Sequence, residues 1–262
     1  MINYKLLLNL LKLTILITDY GKTMENYKDE IFTNYLLKMK NSKEVSNLDY
    51  TVISNLIEDI SNGVIIEFIK NDATNLQACI LLSKTTKQII IIFGNNSSDK
   101  WYDKYHLFKT KLKNTYNVYV NTSIHHKLTD KNIHLKMIEL LTKLLLIHPE
   151  YNIQICGYGI GGSLATLFGY LIADEIHQNV TVVSFGSPRV GNYNWKQMFN
   201  LKRNLKHYRV VNKYDMITIR PFIRYYHVGK KIQLHQSFFK FFENNKINHS
   251  QNEYYQNILM NI

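Results

Sequence analysis

Residues 153–172, IQICGYGIGGSLATLFGYLI, constrain the fold of this chain more than any other stretch. An apolar, strand-like run leads into a turn rich in glycine, and a helical pattern follows. Small residues at such a turn let the helix and the strand approach closely. They also direct backbone N–H groups toward one point, where an anion or an oxyanion can sit. A nucleotide-binding loop is the less favoured alternative, because no lysine or acidic partner lies at the spacing that such loops use.

The rest of the chain alternates strand-like and helix-like patterns. Strands are predicted at 64–70, 77–83, 88–93, 118–123, 152–156, 180–185, 207–212 and 225–234. Helical periodicity is predicted within 24–62, at 131–147 and at 160–176, and the C-terminal tail reads as loop and helix. Strands that alternate with helices indicate a mainly parallel sheet covered on both faces, which is the α/β class.

The 262 residues, 45% of them hydrophobic, suit one domain over 1–262, with an N-terminal helical segment at 1–62 and a core at 63–262. Near the N-terminus, Lys5, Asn9 and Lys12 lie on one helical face among leucines. We expect an amphipathic helix packed on the domain there, rather than a secretory signal. The two cysteines, Cys79 and Cys156, lie in apolar runs and fit a reducing compartment, so a cytoplasmic location is the expectation.

The net charge of +12 raises the question of nucleic acid or anionic membranes as partners. Five of the 32 basic residues are arginines, and the lysines are dispersed along the chain. The sequence therefore does not predict specific nucleic-acid binding.

The glycine turn resembles the nucleophile elbow of the fungal-type (class three) lipases, whose pattern is Val-x-Gly-His-Ser-Leu-Gly-Gly-Ala-Leu-Ala-x-Leu. Three further blocks resemble that family in the same order. They are VVSFGSPRVGN (182–192), YRVVNKYDMITIRP (208–221) and NHSQNEYY (248–255). The resemblance runs from about residue 60 to the end. It implies an α/β-hydrolase fold, with a central mostly parallel sheet flanked by helices.

On this resemblance, Gly159 falls at the nucleophile position, Asp215 at the catalytic aspartate and His249 at the catalytic histidine. Elbow, aspartate and histidine follow one another in the order usual for this fold. Ile160 comes next to the nucleophile position in the elbow, and Asn96 falls in the oxyanion loop. The resemblance implies no cofactor and no metal.

Two of these positions depart from the family. Glycine at 159 has no side chain with which to attack a carbonyl group. The family's Phe-Arg-Gly-Thr/Ser is replaced by Phe93-Gly94-Asn95-Asn96, so only the Asn96 amide remains as a side-chain donor there. We therefore expect a lipase-like protein that is catalytically dead or severely impaired and that binds a lipid, an ester or another partner.

The alternative is an active lipase or esterase with a relocated nucleophile. Ser163, Cys156 and Tyr158 lie close to the elbow in sequence, but none has an evident base beside it. Residues 97–112 lie where the family has a lid. Trp101 matches the family's tryptophan, and an amphipathic helix here would contact a membrane surface. An ordinary surface helix is the equal alternative. The sequence does not define the natural ligand or the oligomeric state.

Overall fold

The computed structural model describes residues 3–23, 66–94, 108–113, 115–234 and 249–262. The strands within these ranges are β1 (Ile66–Asn71), β2 (Leu76–Ser83), β3 (Gln88–Phe93), β4 (Lys109–Lys111), β5 (Tyr119–Asn121), β6 (Asn152–Tyr158), β7 (Val180–Phe185), β8 (Leu205–Asn212) and β9 (Lys230–Leu234). The helices there are α1 (Tyr4–Thr23), α2 (Thr122–Thr129), α3 (Ile133–Ile147), α4 (Ile160–Ile172), α5 (Tyr193–Asn200) and α6 (Gln251–Leu259), with a 3-10 turn at Asp130–Asn132.

Seven of these strands form one sheet in the order β1-β2-β3-β6-β7-β8-β9. Strands β3, β6, β7, β8 and β9 run parallel to one another, whereas β1–β2 and β2–β3 pair antiparallel. Strand β6 is the fourth of the seven strands, and both of its neighbours, β3 and β7, are mostly apolar and buried. Such runs suit strands that are covered on both faces. The predicted α/β class, with a central mostly parallel sheet flanked by helices, is confirmed.

Each face of the sheet has its own apolar core. Helices α2 to α5 cover one face, and α4 lies directly against β6 and β7. The predicted stripe of α3 is buried in this core, at Ile133, Met137, Leu141 and Leu144. Helices α1 and α6 pack together on the opposite face, which places the start of α6 beside the glycine turn.

Helix α1 packs on the domain, but its predicted polar face is only partly correct. Lys5 and Asn9 are exposed, whereas Lys12 is buried, with its ammonium 5.6 Å from the centre of the Tyr255 ring. Burying the lysine stem against an aromatic ring compensates in part for removing its charge from water.

Several predicted boundaries were wrong, and capping explains the clearest case. The strand predicted at 118–123 ends at Asn121, because that side chain accepts hydrogen bonds from the N–H groups of Ser123 and Ile124 and starts α2. The predicted helix 160–176 ends at Ile172, and the predicted strand 225–234 begins only at Lys230. Helix α5 was not predicted.

The described part of the lid-like segment also differs from the expectation. Lys109–Lys111 are strand β4, paired antiparallel with β5, and do not continue a helix. Trp101, Asn96 and the helical segment predicted within 24–62 lie outside the described residues. In the part of the chain that the structure does describe, no helix combines the length and apolarity needed to cross a membrane.

Candidate active site

The turn between β6 and α4 is sharp, and Gly159 is its pivot. Its backbone angles are φ 56° and ψ −119°, a conformation that favours glycine. The N–H of Gly159 donates to the carbonyl oxygen of Phe185 at 2.8 Å, which ties the turn to the end of β7. This is the conformation in which an α/β-hydrolase presents its nucleophile.

Two other glycines allow α4 to begin almost in contact with the sheet. A Cβ at Gly157 would lie 2.2 Å from the carbonyl oxygen of Gly161, and a Cβ at Gly161 would lie 2.4 Å from that of Phe93. Larger side chains would push the helix away. The close approach places Ile160 at the first helical position, where its N–H has no partner within the helix. The elbow thus keeps a backbone donor directed at the space beside Gly159.

The structure brings Asp215 and His249 together beside this elbow. Nδ1 of His249 lies 2.7 Å from Oδ2 of Asp215. The Asp215 side chain is fully buried, whereas the His249 side chain is 20% exposed. A carboxylate at this distance favours the imidazole tautomer that carries its proton on Nδ1, which leaves the lone pair on Nε2.

Three donors hold the Asp215 carboxylate. In addition to His249, Oδ2 accepts the Tyr254 hydroxyl at 2.7 Å, and Oδ1 accepts the N–H of Ile217 at 2.9 Å. The Tyr254 oxygen in turn accepts the N–H of Asn212 at 3.1 Å. Burial, together with the nearby Asp215 charge, raises the pKa of Tyr254 well above its usual value, so the phenol stays a donor.

Tyr158 fixes His249 from the elbow side. Its hydroxyl donates to the backbone carbonyl oxygen of His249, and the two rings stack with centroids 5.2 Å apart. Burial first, and then Asp215, raise the pKa of Tyr158. Because Tyr158 directly precedes Gly159, these contacts attach the histidine segment to the elbow itself.

Gly186 completes the packing around the pair. It has a positive φ of 58°, and a Cβ there would lie 3.0 Å from Cε1 of His249 and 3.1 Å from Oδ2 of Asp215. The end of β7 therefore lies against the imidazole, and a larger residue at position 186 would displace it.

The residues considered as relocated nucleophiles are enclosed. Cys156 is fully buried on the α1 face, and burial raises the pKa of its thiol. The Ser163 hydroxyl is also fully buried and is bonded to Ser187 Oγ at 3.0 Å and to the Pro188 carbonyl oxygen at 3.2 Å. Among the described residues, none of the side chains of Cys156, Ser163 and Tyr158 forms a hydrogen bond with the imidazole of His249.

Sequence reasoning missed the supporting roles of both tyrosines. Tyr254 and Ile258 lie one helical turn apart and are both fully buried, so the period of α6 could have marked Tyr254 as inward-facing. Nothing in the sequence identified Asp215 as its partner. For Tyr158, sequence reasoning considered only a role as a relocated nucleophile. Among the described residues, no cluster of three or more His, Cys, Asp or Glu side chains is arranged to hold a metal ion.

The sheet order, the elbow and the position of the Asp–His pair define an α/β-hydrolase. The family model for lipase (class 3) matches residues 89–225, more than half of the chain. The chain belongs to the class 3 lipase family.

Individual relatives agree with this assignment. The chain is 28% identical to phospholipase A1-II 5 of Oryza sativa subsp. indica over 135 residues, which cover 47% of this chain and 29% of that protein. It is 32% identical to triacylglycerol lipase OBL1 of Ricinus communis over 116 residues, covering 39% and 22%. The match therefore spans less than a third of either relative.

A solved structure shares the fold. The lipase from Rhizopus microsporus var. chinensis superimposes with a TM-score of 0.68 at 17% identity, covering 89% of this chain and 75% of that one.

Proposed function

We propose that this protein keeps the class 3 lipase fold as a lipid- or ester-binding protein and does not hydrolyse esters by the family's route. One observation carries the proposal. Gly159 occupies the pivot of an intact elbow, beside a hydrogen-bonded Asp215–His249 pair. The base and its orienting carboxylate are in place, and the side chain that they would activate is missing.

The chemical consequence follows from the division of work in a triad. The imidazole removes a proton from a hydroxyl, the oxygen attacks the carbonyl carbon, and the carboxylate stabilises the imidazolium that forms. With Gly159 at the turn, the Nε2 lone pair of His249 has no hydroxyl on the elbow to activate. Loss of the nucleophile costs a triad enzyme on the order of a millionfold in turnover, so no acyl-enzyme should accumulate.

The kind of ligand is proposed from the family. The relatives named above are called a phospholipase and a triacylglycerol lipase, which supports a lipid or another carboxylic ester as the ligand. Contact with a membrane surface through the lid-like segment around Trp101 remains a prediction from the sequence.

The competing function is an active lipase or esterase with a relocated nucleophile. Two observations argue against this function: the Cys156 thiol is buried, and the Ser163 hydroxyl is buried and hydrogen-bonded to other groups. Tyr158 is a poor candidate as well, because its raised pKa keeps the phenol protonated and its hydroxyl is bonded to a backbone carbonyl.

Hydrolysis of a short p-nitrophenyl ester separates the two functions. The parent protein should release p-nitrophenol no faster than its His249→Ala variant. If the parent turns over ester and Cys156→Ala or Ser163→Ala abolishes this, the relocated-nucleophile function is correct and the proposal is wrong.

A further inference from the structure

Arg209, on β8, is a partly buried cation that has no counterion among the residues that the structure describes. Within the described residues, its Nε is buried and has no hydrogen-bond acceptor, and no carboxylate forms an ion pair with the guanidinium. Burial lowers the pKa of Arg209 to about 10. Leaving a charged donor both desolvated and unpaired is costly, so such an arginine is usually matched by an anion.

A cavity of about 480 Å³ lies beside this arginine. Residues of β8, β9 and the segment 213–227 line the cavity, and Lys213 and Lys231 add two more cations to its lining. Lys231 is the direct partner of Arg209 in the parallel β8–β9 pairing, so both side chains leave the same face of the sheet. Like charges placed opposite each other on a sheet repel, which adds to the cost of the empty arrangement.

The carboxylate in the lining does not neutralise these charges. Asp215 is the acidic residue among the lining residues, and its two oxygens are occupied by His249, Tyr254 and the Ile217 N–H. The Lys231 ammonium donates to the neutral amide of Gln233 at 2.6 Å. With three cations and one carboxylate that is already hydrogen-bonded elsewhere, the lining of the cavity carries a net positive charge.

We infer that this cavity binds a phosphate group, with the Arg209 guanidinium as the main donor and Lys231 and Lys213 at the rim. A guanidinium presents its N–H groups as a planar fork that matches two phosphate oxygens, and several cations suit a dianion better than a monocarboxylate. The cavity is larger than a phosphate ion and has apolar walls at Val211 and Ile219. It therefore has room for the group esterified to phosphate. The inference uses the β8–β9 edge and does not depend on whether the elbow is catalytic.

A free phosphate ion and a phospholipid headgroup offer the same chemistry to this cavity, and the experiment separates them. Unfolding temperature and heat of binding are measured with potassium phosphate against potassium chloride at equal ionic strength. They are measured again with monomeric dihexanoyl phosphatidic acid against dihexanoyl phosphatidylcholine. The parent should show a saturable rise in Tm with phosphate beyond the chloride series. Phosphatidic acid binding at least about tenfold more tightly than phosphate would identify a lipid headgroup as the ligand, and equal affinity would identify the free phosphate group.

Arg209→Gln removes the charge and leaves a shorter polar side chain, and it should weaken phosphate binding about tenfold or more. The matched control is Arg203→Gln, at an exposed arginine that is not among the residues lining the cavity, which should bind like the parent.

Lys231→Glu tests the same site without relying on the arginine variant to fold. It places a carboxylate opposite Arg209, so it should raise the Tm in chloride and abolish the response to phosphate. The inference is wrong if the parent responds to phosphate no more than to chloride, or if Lys231→Glu binds phosphate like the parent.

Discussion

Replacing Gly159 with serine should create a weak esterase. The hydroxyl would be added at the pivot of the elbow, next to an imidazole already held 2.7 Å from Asp215. A complete triad is worth on the order of 10⁶ in turnover. On the sequence resemblance, the segment 93–96 lacks the family's hydroxyl residue, and removal of one such oxyanion donor costs about 10²–10³ in rate. We therefore expect Gly159→Ser to exceed the parent by roughly 10³–10⁴ and to remain well below a complete enzyme.

The same substitution should cost stability. A residue with a side chain at φ 56° and ψ −119° is strained, by about 1–3 kcal/mol. Gly159→Ala is the matched control, since it carries the same backbone strain without the hydroxyl. Both variants should show a similar fall in Tm, and only the serine variant should release p-nitrophenol from p-nitrophenyl butyrate, in a reaction that His249→Ala abolishes. A folded serine variant no faster than the alanine variant would show that the Asp215–His249 pair cannot act as a base, and the reasoning would fail.

Three further outcomes are expected. His207 and His227 are held neutral mainly by burial and then by Arg209, and their pKa values are lowered from 6.5 to about 3. The contribution of these two histidines to the free energy of unfolding, measured with urea, should be fully present above pH 6.5. As the pH falls from 6.5 toward 3, that free energy should decline by up to about 1.4 kcal/mol per pH unit for each histidine. Tyr254→Phe removes a donor from the buried Asp215 carboxylate and should lower the free energy of unfolding by about 1–3 kcal/mol; a change within error would mean that the bond contributes little. Gly157→Ala should cost about 3 kcal/mol or more, because its Cβ would lie 2.2 Å from a carbonyl oxygen of α4, and a variant with the parent's Tm would disprove the close contact.

Much of the fold follows from local pattern. The buried strands β3, β6 and β7 are rich in apolar and β-branched residues, and the stripe of α3 has a clear helical period, so these elements were predicted nearly in place. Two of the errors fall where a side chain caps a helix. Asn121 caps α2 inside a run that reads as strand, and Asn192 caps the unpredicted α5 by accepting the N–H of Trp195. Such caps depend on one hydrogen bond and leave little trace in periodicity.

In the candidate site, too, some features were predicted from local sequence and others were not. Gly159, Asp215 and His249 were located by motif, because each lies in a block with its own sequence pattern. The contacts that position them come from residues far apart in the chain. Tyr254 reaches Asp215 across 39 positions, and Tyr158 reaches the His249 carbonyl across 91. That Lys231 lies opposite Arg209 likewise becomes visible only when β8 and β9 are placed side by side.

The central claim is that the parent protein lacks an activated nucleophile, and labelling with a fluorophosphonate probe tests it most directly. The probe forms a covalent bond only with a nucleophile that a base has activated. Intact-mass spectrometry should show no adduct on the parent and one adduct on Gly159→Ser, lost again in the double variant with His249→Ala. A stoichiometric adduct on the parent, mapped by peptide sequencing to any residue of the elbow, would contradict the account.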